Sequence, residues 1–222
     1  MAHERRTAQS NEAAAIAVDT PKGVVIVHTI QATTPESKTQ VTLHHHGLQR
    51  YELGLHGRLE PGWAGRLSNG MAQRKVNIMR VEAARSAGWK WRSTIDLDFF
   101  TAAVKPDAID FVSLIQAPVT PAPTPVELLI DDYLMERSTR CEGSLYLEVS
   151  GPDRLGLLSS LLNTFSLYSL FPAEMRVETQ RKRVFDRFWL KGLGGSTPSE
   201  EATTAIRERM QECVQLKRRS IA

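Results

Sequence analysis

Two short stretches hold the residues best suited to gripping a ligand. Gly151, Pro152, Asp153, Arg154 and Gly156 stand together in GPDRLG, followed at once by Leu157 and Leu158. Glycine frees the backbone, proline fixes one dihedral, and an aspartate side chain bonds nearby amides, so this is a tight polar corner. Residues 57–62, GRLEPG, form a related corner that contains Glu60 and Gly62. Catalytic chemistry has no comparable signal. The sequence shows no nucleophile elbow, phosphate loop, zinc helix or paired carboxylates, and its serines fall in turns or helices without a visible base. Asp131 and Asp132 are adjacent, so a strand would send them to opposite faces. No catalytic residue and no cofactor are expected.

Metal chemistry is confined to His44, His45 and His46. On a strand His44 and His46 point the same way, about 6–7 Å apart, and imidazole pairs bind zinc or nickel. His28 and His56 could converge from neighbouring strands. With no Asp, Glu or Cys close in sequence and Gly47 following, an exposed strand end is expected and no metal site. Cys141 and Cys213 have neither framework nor metal spacing, and are expected to be reduced, inert thiols.

The elements that must position the corners follow from periodicity. Residues 144–150, SLYLEVS, alternate around Leu145, Leu147 and Val149 as a half-buried strand does. After the corner, Leu158, Leu161, Leu162 and Phe165 recur at helical spacing and need a sheet to lie on. The same pattern occurs 94 residues earlier, pairing Gly57 with Gly151, Gly62 with Gly156, Leu67 with Leu161 and Asn69 with Asn163. Two copies of one module are therefore expected.

Taken in order, residues 1–22 read as a poorly ordered segment with an Ala-rich stretch of helical character. Residues 24–31 (VVIVHTIQ) and 38–46 (KTQVTLHHH) read as strands. The first copy continues with a strand over 50–57 and a helix from Pro61 to about Lys75, with Trp63, Leu67 and Met71 beneath it. A strand over 76–84 then puts Met79, Val81 and Ala83 on one face, and another aligns Trp89, Trp91, Ile95 and Leu97. In the second copy Ala173, Met175 and Val177 repeat that face, and Val184, Phe188 and Leu190 follow after a one-residue change in turn length. Closing helices are predicted over 107–116 and 199–217, the latter capped by Thr197 with Pro198 at its first position and Glu200 completing a capping box. Its stripe is Ala202, Ile206, Met210 and Val214.

Pro118, Pro121, Pro123 and Pro125 mark an extended linker over 118–125 between a first domain, 23–117, and a second, 126–222. Each copy lacks one strand of a ferredoxin-like βαββαβ unit, which the first could take from residues 126–132 after its closing helix and the second could not. Either residues 24–31 cross over to complete the second sheet, or both copies are permuted and begin with their extra strand, as the β-rich segment upstream of each corner favours. The fold class is thus α+β, two antiparallel sheets with helices on one face.

Residues 147–192, with GPDRLGLL in the first turn and Val184, Asp186 and Phe188 in the third strand, resemble an ACT domain. This small regulatory amino-acid-binding module occurs in tandem in bacterial nitrogen and glycine regulators. The first copy, with GRLEPGWAG and VNIMRVEA, looks like a diverged member. The resemblance implies an amino acid at the interface of paired domains. The corner of one copy would offer backbone amides and Asp153, and the start of the partner's second strand would complete the site. A zwitterion suits this: helix-start amides attract its carboxylate, and Asp153 pairs with its ammonium. The carry-over is uneven, because Phe171 and Pro172 begin the second copy's second strand, whereas Asn77 begins the first copy's and Leu59 replaces its aspartate. The expected ligand residues are Gly151, Asp153, Arg154, Gly156 and Leu157 with Asn77, and Glu60 and Gly62 at the other corner.

Composition fits this. A chain of 222 residues with 41% apolar and 24% charged residues and a net charge of +3 suits a globular protein of two small domains. The short basic groups at 180–183 and 217–219 lie at a hairpin turn and near the chain end, without aromatic interleaving, so no nucleic-acid partner is expected. No membrane span and no secretory leader stand out, which predicts a cytoplasmic protein. The expected function is a small-molecule sensor that self-associates as a homo-oligomer or docks on a regulator protein. A ligand-free interaction module is the alternative.

Overall fold

A run of β-branched residues needs hydrogen-bonding partners on both sides, and the first strands supply them. In a computed structural model that describes residues 14–20, 23–30, 39–86, 90–116 and 127–221, three antiparallel strands open the chain. They are Ala14–Thr20 (β1), Gly23–Ile30 (β2) and Thr39–His45 (β3), with Val18 opposite Val25 and Ile26 opposite Leu43. The Ala-rich stretch, expected to be unordered or helical, is therefore a strand. It pairs with β2 along its whole length, from Ala14 opposite Thr29 to Thr20 opposite Gly23.

The first module continues with Arg50–Arg58 (β4), Trp63–Gln73 (α1), Asn77–Arg85 (β5), Lys90–Asp98 (β6) and a short helix, Phe111–Gln116 (α2). The second consists of Asp132–Arg137 (β7), Leu145–Pro152 (β8), Leu157–Leu167 (α3), Phe171–Gln180 (β9), Arg183–Lys191 (β10) and Glu200–Ile221 (α4). All ten strands form one sheet in the order β1-β2-β3-β4-β6-β5-β9-β10-β8-β7. Each half has its extra strand first, β3 paired with β4 and β7 with β8, so both copies are ββαββα permutations. Residues 23–30 do not cross to the second sheet; they pair with β3 at the far side of the first. The linker at 118–125 and Trp89 lie outside the described residues.

The repeat holds at the level of single hydrogen bonds. Helices α1 and α3 are related by the 94-residue offset at both ends. Lys75 and Ser169, one offset apart, both take a left-handed conformation (φ 56°) after the helix. Val76 N–H donates to Met71 C=O as Leu170 N–H does to Phe165 C=O, at 3.0 and 2.9 Å. Each second strand carries an irregularity at the same place: the pairing of β5 with β6 skips Met79, and that of β9 with β10 skips Ala173. The bulge accommodates Pro172, which a regular central strand would not. It also moves Met79 out of the inward row expected for it, leaving Val81 and Ala83 buried and Met79 only half-buried.

The halves join where β5 pairs antiparallel with β9. Val81 faces Val177 on the core side, both buried, and Arg80 lies opposite Glu178. Glu82 lies opposite Arg176, its own repeat equivalent, so the local two-fold axis passes through that pair. One continuous core runs beneath both halves and includes Leu53, Trp63, Leu67, Met71 and Ile95 with Leu147, Leu161, Phe165 and Phe188. The Phe165 and Phe188 rings meet edge to face at 5.0 Å. Helix α4 adds Ile206, Met210 and Cys213, all fully buried, with Ala202 and Val214 at the margin.

Two helix starts differ from expectation. Ser199 rather than Thr197 caps α4, its Oγ accepting from Ala202 N–H at 3.1 Å, so Pro198 precedes the cap instead of opening the helix. The segment expected as one helix over 107–116 splits into a 3₁₀ turn, Pro106–Ala108, and α2, whose cap Asp110 accepts from the amides of Val112 and Ser113.

Because the core is shared, the halves should unfold together. Phe165→Ala should cost about 3–5 kcal/mol and shift one urea transition in which far-UV circular dichroism and tryptophan fluorescence coincide. Two separated transitions would show that the β5–β9 pairing does not couple the halves.

Candidate functional site

The two corners share one backbone. Gly62 and Gly156 immediately precede α1 and α3 with φ of 80° and 89°, in the left-handed region that a side chain would strain. Trp63 N–H donates to Glu60 C=O and Leu157 N–H to Arg154 C=O, at 3.1 and 3.0 Å. Neither helix has a side-chain cap, so each start presents uncapped amides. The antiparallel β5–β9 pairing sets the end of each second strand beside the start of the other. Each corner therefore lies against the opposite half, Asp153–Ser159 near Asn77 and Pro61–Arg66 near Phe171 and Pro172.

At the second-half corner the expected partners meet. Burial pushes the Asp153 carboxyl above its usual pKa, and the neighbouring Asn77 amide partly offsets this by favouring the charged form. Asn77 Nδ2 also lies 3.3 Å from Met79 Sδ. Below them Asp186 is 1% exposed, with Oδ1 lacking a hydrogen-bond partner. Burial pushes its carboxyl up to about 7, opposed by a hydrogen bond from the Glu178 backbone and reinforced by the nearby Asp153. The buried Thr179 Oγ1 lines the same space and is likewise unpartnered. That space is about 30 Å³, lined also by Arg154, Gly156 and Leu157. It is the size of a single water molecule's share of the liquid, roughly 30 Å³, and too small for an amino acid. Gly151 does not line it. A Cβ there would meet Ile130 Cα at 3.3 Å, so this glycine lets the segment before β7 pass close over β8.

The first-half corner is open. A cavity of about 270 Å³ lies between the halves, with Trp63 and Trp91 on one side and Leu162, Leu170 and Met175 on the other. The indoles of Trp63 and Trp91 meet edge to face at 5.4 Å. Gly62 and Arg66 form part of its wall, whereas Glu60 is exposed, does not line it, and acts on Arg66 through its charge. Arg66 donates from Nε to Ile115 C=O at 2.8 Å and from Nη1 to Pro61 C=O at 3.0 Å. Burial holds this guanidinium below its ordinary pKa, with Glu60 partly offsetting the effect.

Arg85, at the end of β5, reaches the loop that follows β10, and a Cβ on Gly195 would lie 2.9 Å from its Nη2. Lys191 contributes to the wall while its Nζ donates to Glu142 C=O. Among the described residues, no aspartate or glutamate lines this cavity. Trp91, Arg66, Arg85 and the Gly192–Gly195 loop were not anticipated from sequence. Their only advance signals were the apolar Phe171-Pro172 start of β9 and the glycine-rich GLGG run.

The histidines form no metal group among the described residues. His45 stacks on Tyr51 with centroids 4.7 Å apart, and His46 Nε2 lies 3.8 Å from Glu52 on the paired strand, an acidic neighbour that sequence distance concealed. His28 pairs with Val41 and His56 with Gln40, so the two flank β3 one residue out of register. Cys213 is buried and burial pushes its thiol pKa up. Asp131 forms an ion pair with Arg183.

No family model matches the chain. No curated protein matches it either. A solved structure that does is aspartate kinase from Synechocystis, at 14% identity and a TM-score of 0.41, over 73% of this chain and 27% of that one. The chain therefore spans about a quarter of the length of that kinase.

Asp186 gives the second corner a pH signature. Its pKa is raised on folding, so its contribution to stability is fully present below about pH 4 and is lost as pH rises through about 7. The melting temperature of the wild type should fall between about pH 4 and 7 relative to Asp186→Asn, which lacks this ionisation, and level off above that. Parallel profiles would show that the carboxyl titrates alike in the folded and unfolded chains.

Proposed function

We propose that the protein is a small-molecule sensor of ACT type whose ligand sits between its two halves, in the cavity at the Gly62 corner. The supporting observation is the asymmetry of the corners: equivalent backbones enclose about 270 Å³ at one and about 30 Å³ at the other. Ligand sites are concave, largely apolar clefts with a few placed polar groups, and the larger cavity has that make-up. It also lies where the ACT resemblance puts a ligand, between a glycine corner and the start of the other half's second strand.

Signalling requires the ligand to prefer one arrangement of its walls. The sheet and the paired helices form one packed body, so the wall best able to respond is the loop after β10. Gly192 N–H donates to Ser196 C=O at 2.8 Å, and the chain then reaches the Ser199 cap and α4. Ordering this loop around a ligand would be felt at the start of α4, a 22-residue helix on which a partner could report.

A thermal-shift panel of amino acids and small organic acids on the full chain tests the proposal. At one hundred times its Kd a true ligand adds about 2.7 kcal/mol of stability. Ser166→Phe, at the exposed rim of the cavity, should abolish the shift and leave the unliganded melting temperature within a degree or two. Asp153→Ala should leave ligand affinity unchanged. If Asp153→Ala abolishes the shift and Ser166→Phe does not, the site is the smaller corner.

A further inference from the structure

The chemistry of the larger cavity's walls identifies the kind of molecule it accepts, if the ligand binds where proposed above. Its body is apolar, from Trp63 and Trp91 across to Leu162, Leu170 and Met175. Among the described residues its charged lining groups are cationic, Arg66, Arg85 and Lys191. The uncapped start of α1 faces the same space, and that end of a helix favours negative charge. Arg66 is held in place by its hydrogen bonds to the Ile115 and Pro61 carbonyls, which are neutral acceptors, and the one carboxylate acting on its charge, Glu60, is exposed and stands outside the cavity lining.

An ammonium group in this space would meet the cations Arg66 and Lys191 and, among the described lining residues, no carboxylate, and burying a charge without a partner is costly. The carboxylate that could pair with an ammonium, Asp153, belongs to the smaller corner. Size is also informative. An apolar cavity of roughly 150 Å³ takes up benzene, so about 270 Å³ leaves room for a ring or branched alkyl group plus a short acid arm.

We propose that the cavity at the Gly62 corner binds an apolar monocarboxylate that lacks an ammonium group, its ring or branched alkyl body between Trp63, Trp91 and Leu162 and its carboxylate at Arg66 and the start of α1. The ligand class is thus a deaminated counterpart of a hydrophobic amino acid rather than the amino acid itself.

Titration calorimetry on the full chain distinguishes the two. The probes are 3-phenylpropionate and 4-methylpentanoate, each compared with the amino acid of the same skeleton, phenylalanine or leucine, and with 3-phenylpropionamide as the uncharged control. Each acid should bind at least tenfold more tightly than its amino acid, and 3-phenylpropionate at least tenfold more tightly than its amide. Arg66→Met should remove the advantage of acid over amide, Arg66→Lys should retain part of it, and Asp153→Ala should leave it intact. Melting temperatures of both Arg66 variants establish that each is folded, and the Lys variant carries the test if the Met variant is not.

Binding of phenylalanine or leucine as tight as that of the acids overturns the ligand class and leaves the cavity as a small-molecule site. Equal binding of acid and amide overturns the role given to Arg66 and the helix start. Silence from every probe, together with no shift in the broader thermal panel, overturns this inference and the sensor function together.

Discussion

The pairing of β5 with β9 is the constraint on which the rest depends. It joins a six-stranded and a four-stranded sheet into one sheet of ten strands and sets α1 beside α3 on a shared core. It also fixes the position of the corners, because antiparallel alignment brings the start of each second strand to the other half's glycine turn. Were the halves joined only by a linker, neither corner would have an opposing wall. Here the walls other than the loop after β10 come from the joined sheet and its helices, which is the support a binding site needs.

The two corners show how side chains, rather than backbone, decide whether a space exists. Hydrogen bonds, left-handed glycines and helix ends repeat at the 94-residue offset, yet one corner is filled and the other hollow. In the filled one, Asn77 reaches Asp153 above the buried Asp186. In the hollow one, Phe171 and Pro172 stand where Asn77 stands in its counterpart, and neither can reach a polar group across the gap. The aspartate itself is replaced by Leu59, whose side chain is buried.

Much of this was legible in the sequence. Leucines at helical spacing behind a glycine corner gave α3, and the repeated glycines gave the duplication and its offset. β-Rich segments upstream of both corners favoured permuted modules. The meeting of Asn77 with Asp153 followed from placing one at a strand start and the other in the facing turn. Whether space remained between them did not, since that depends on how Asp186, Leu157 and their neighbours fill volume. The larger cavity is not legible in the sequence because its walls come from separated segments around residues 59–66, 162–175 and 191–195 together with Arg85 and Trp91. The bulges at Met79 and Ala173 were hidden because alternation in a single strand cannot reveal a residue skipped against its partner. The cap of α4 was misplaced by two residues because Thr197 and Ser199 flank Pro198 and either could cap.

The residues on the local two-fold axis have a further consequence. Two identical modules associating through this edge would confront each residue on the axis with a copy of itself, glutamate against glutamate or arginine against arginine. Like charges directly opposite one another weaken a strand pair. In this chain the position holds Glu82 on one side and Arg176 on the other. At this pair such an edge suits its covalent sibling better than a second copy of the same strand. Duplication within a single gene product thus frees each half to diverge, and the charge reversal at the axis commits the pair to remaining unequal.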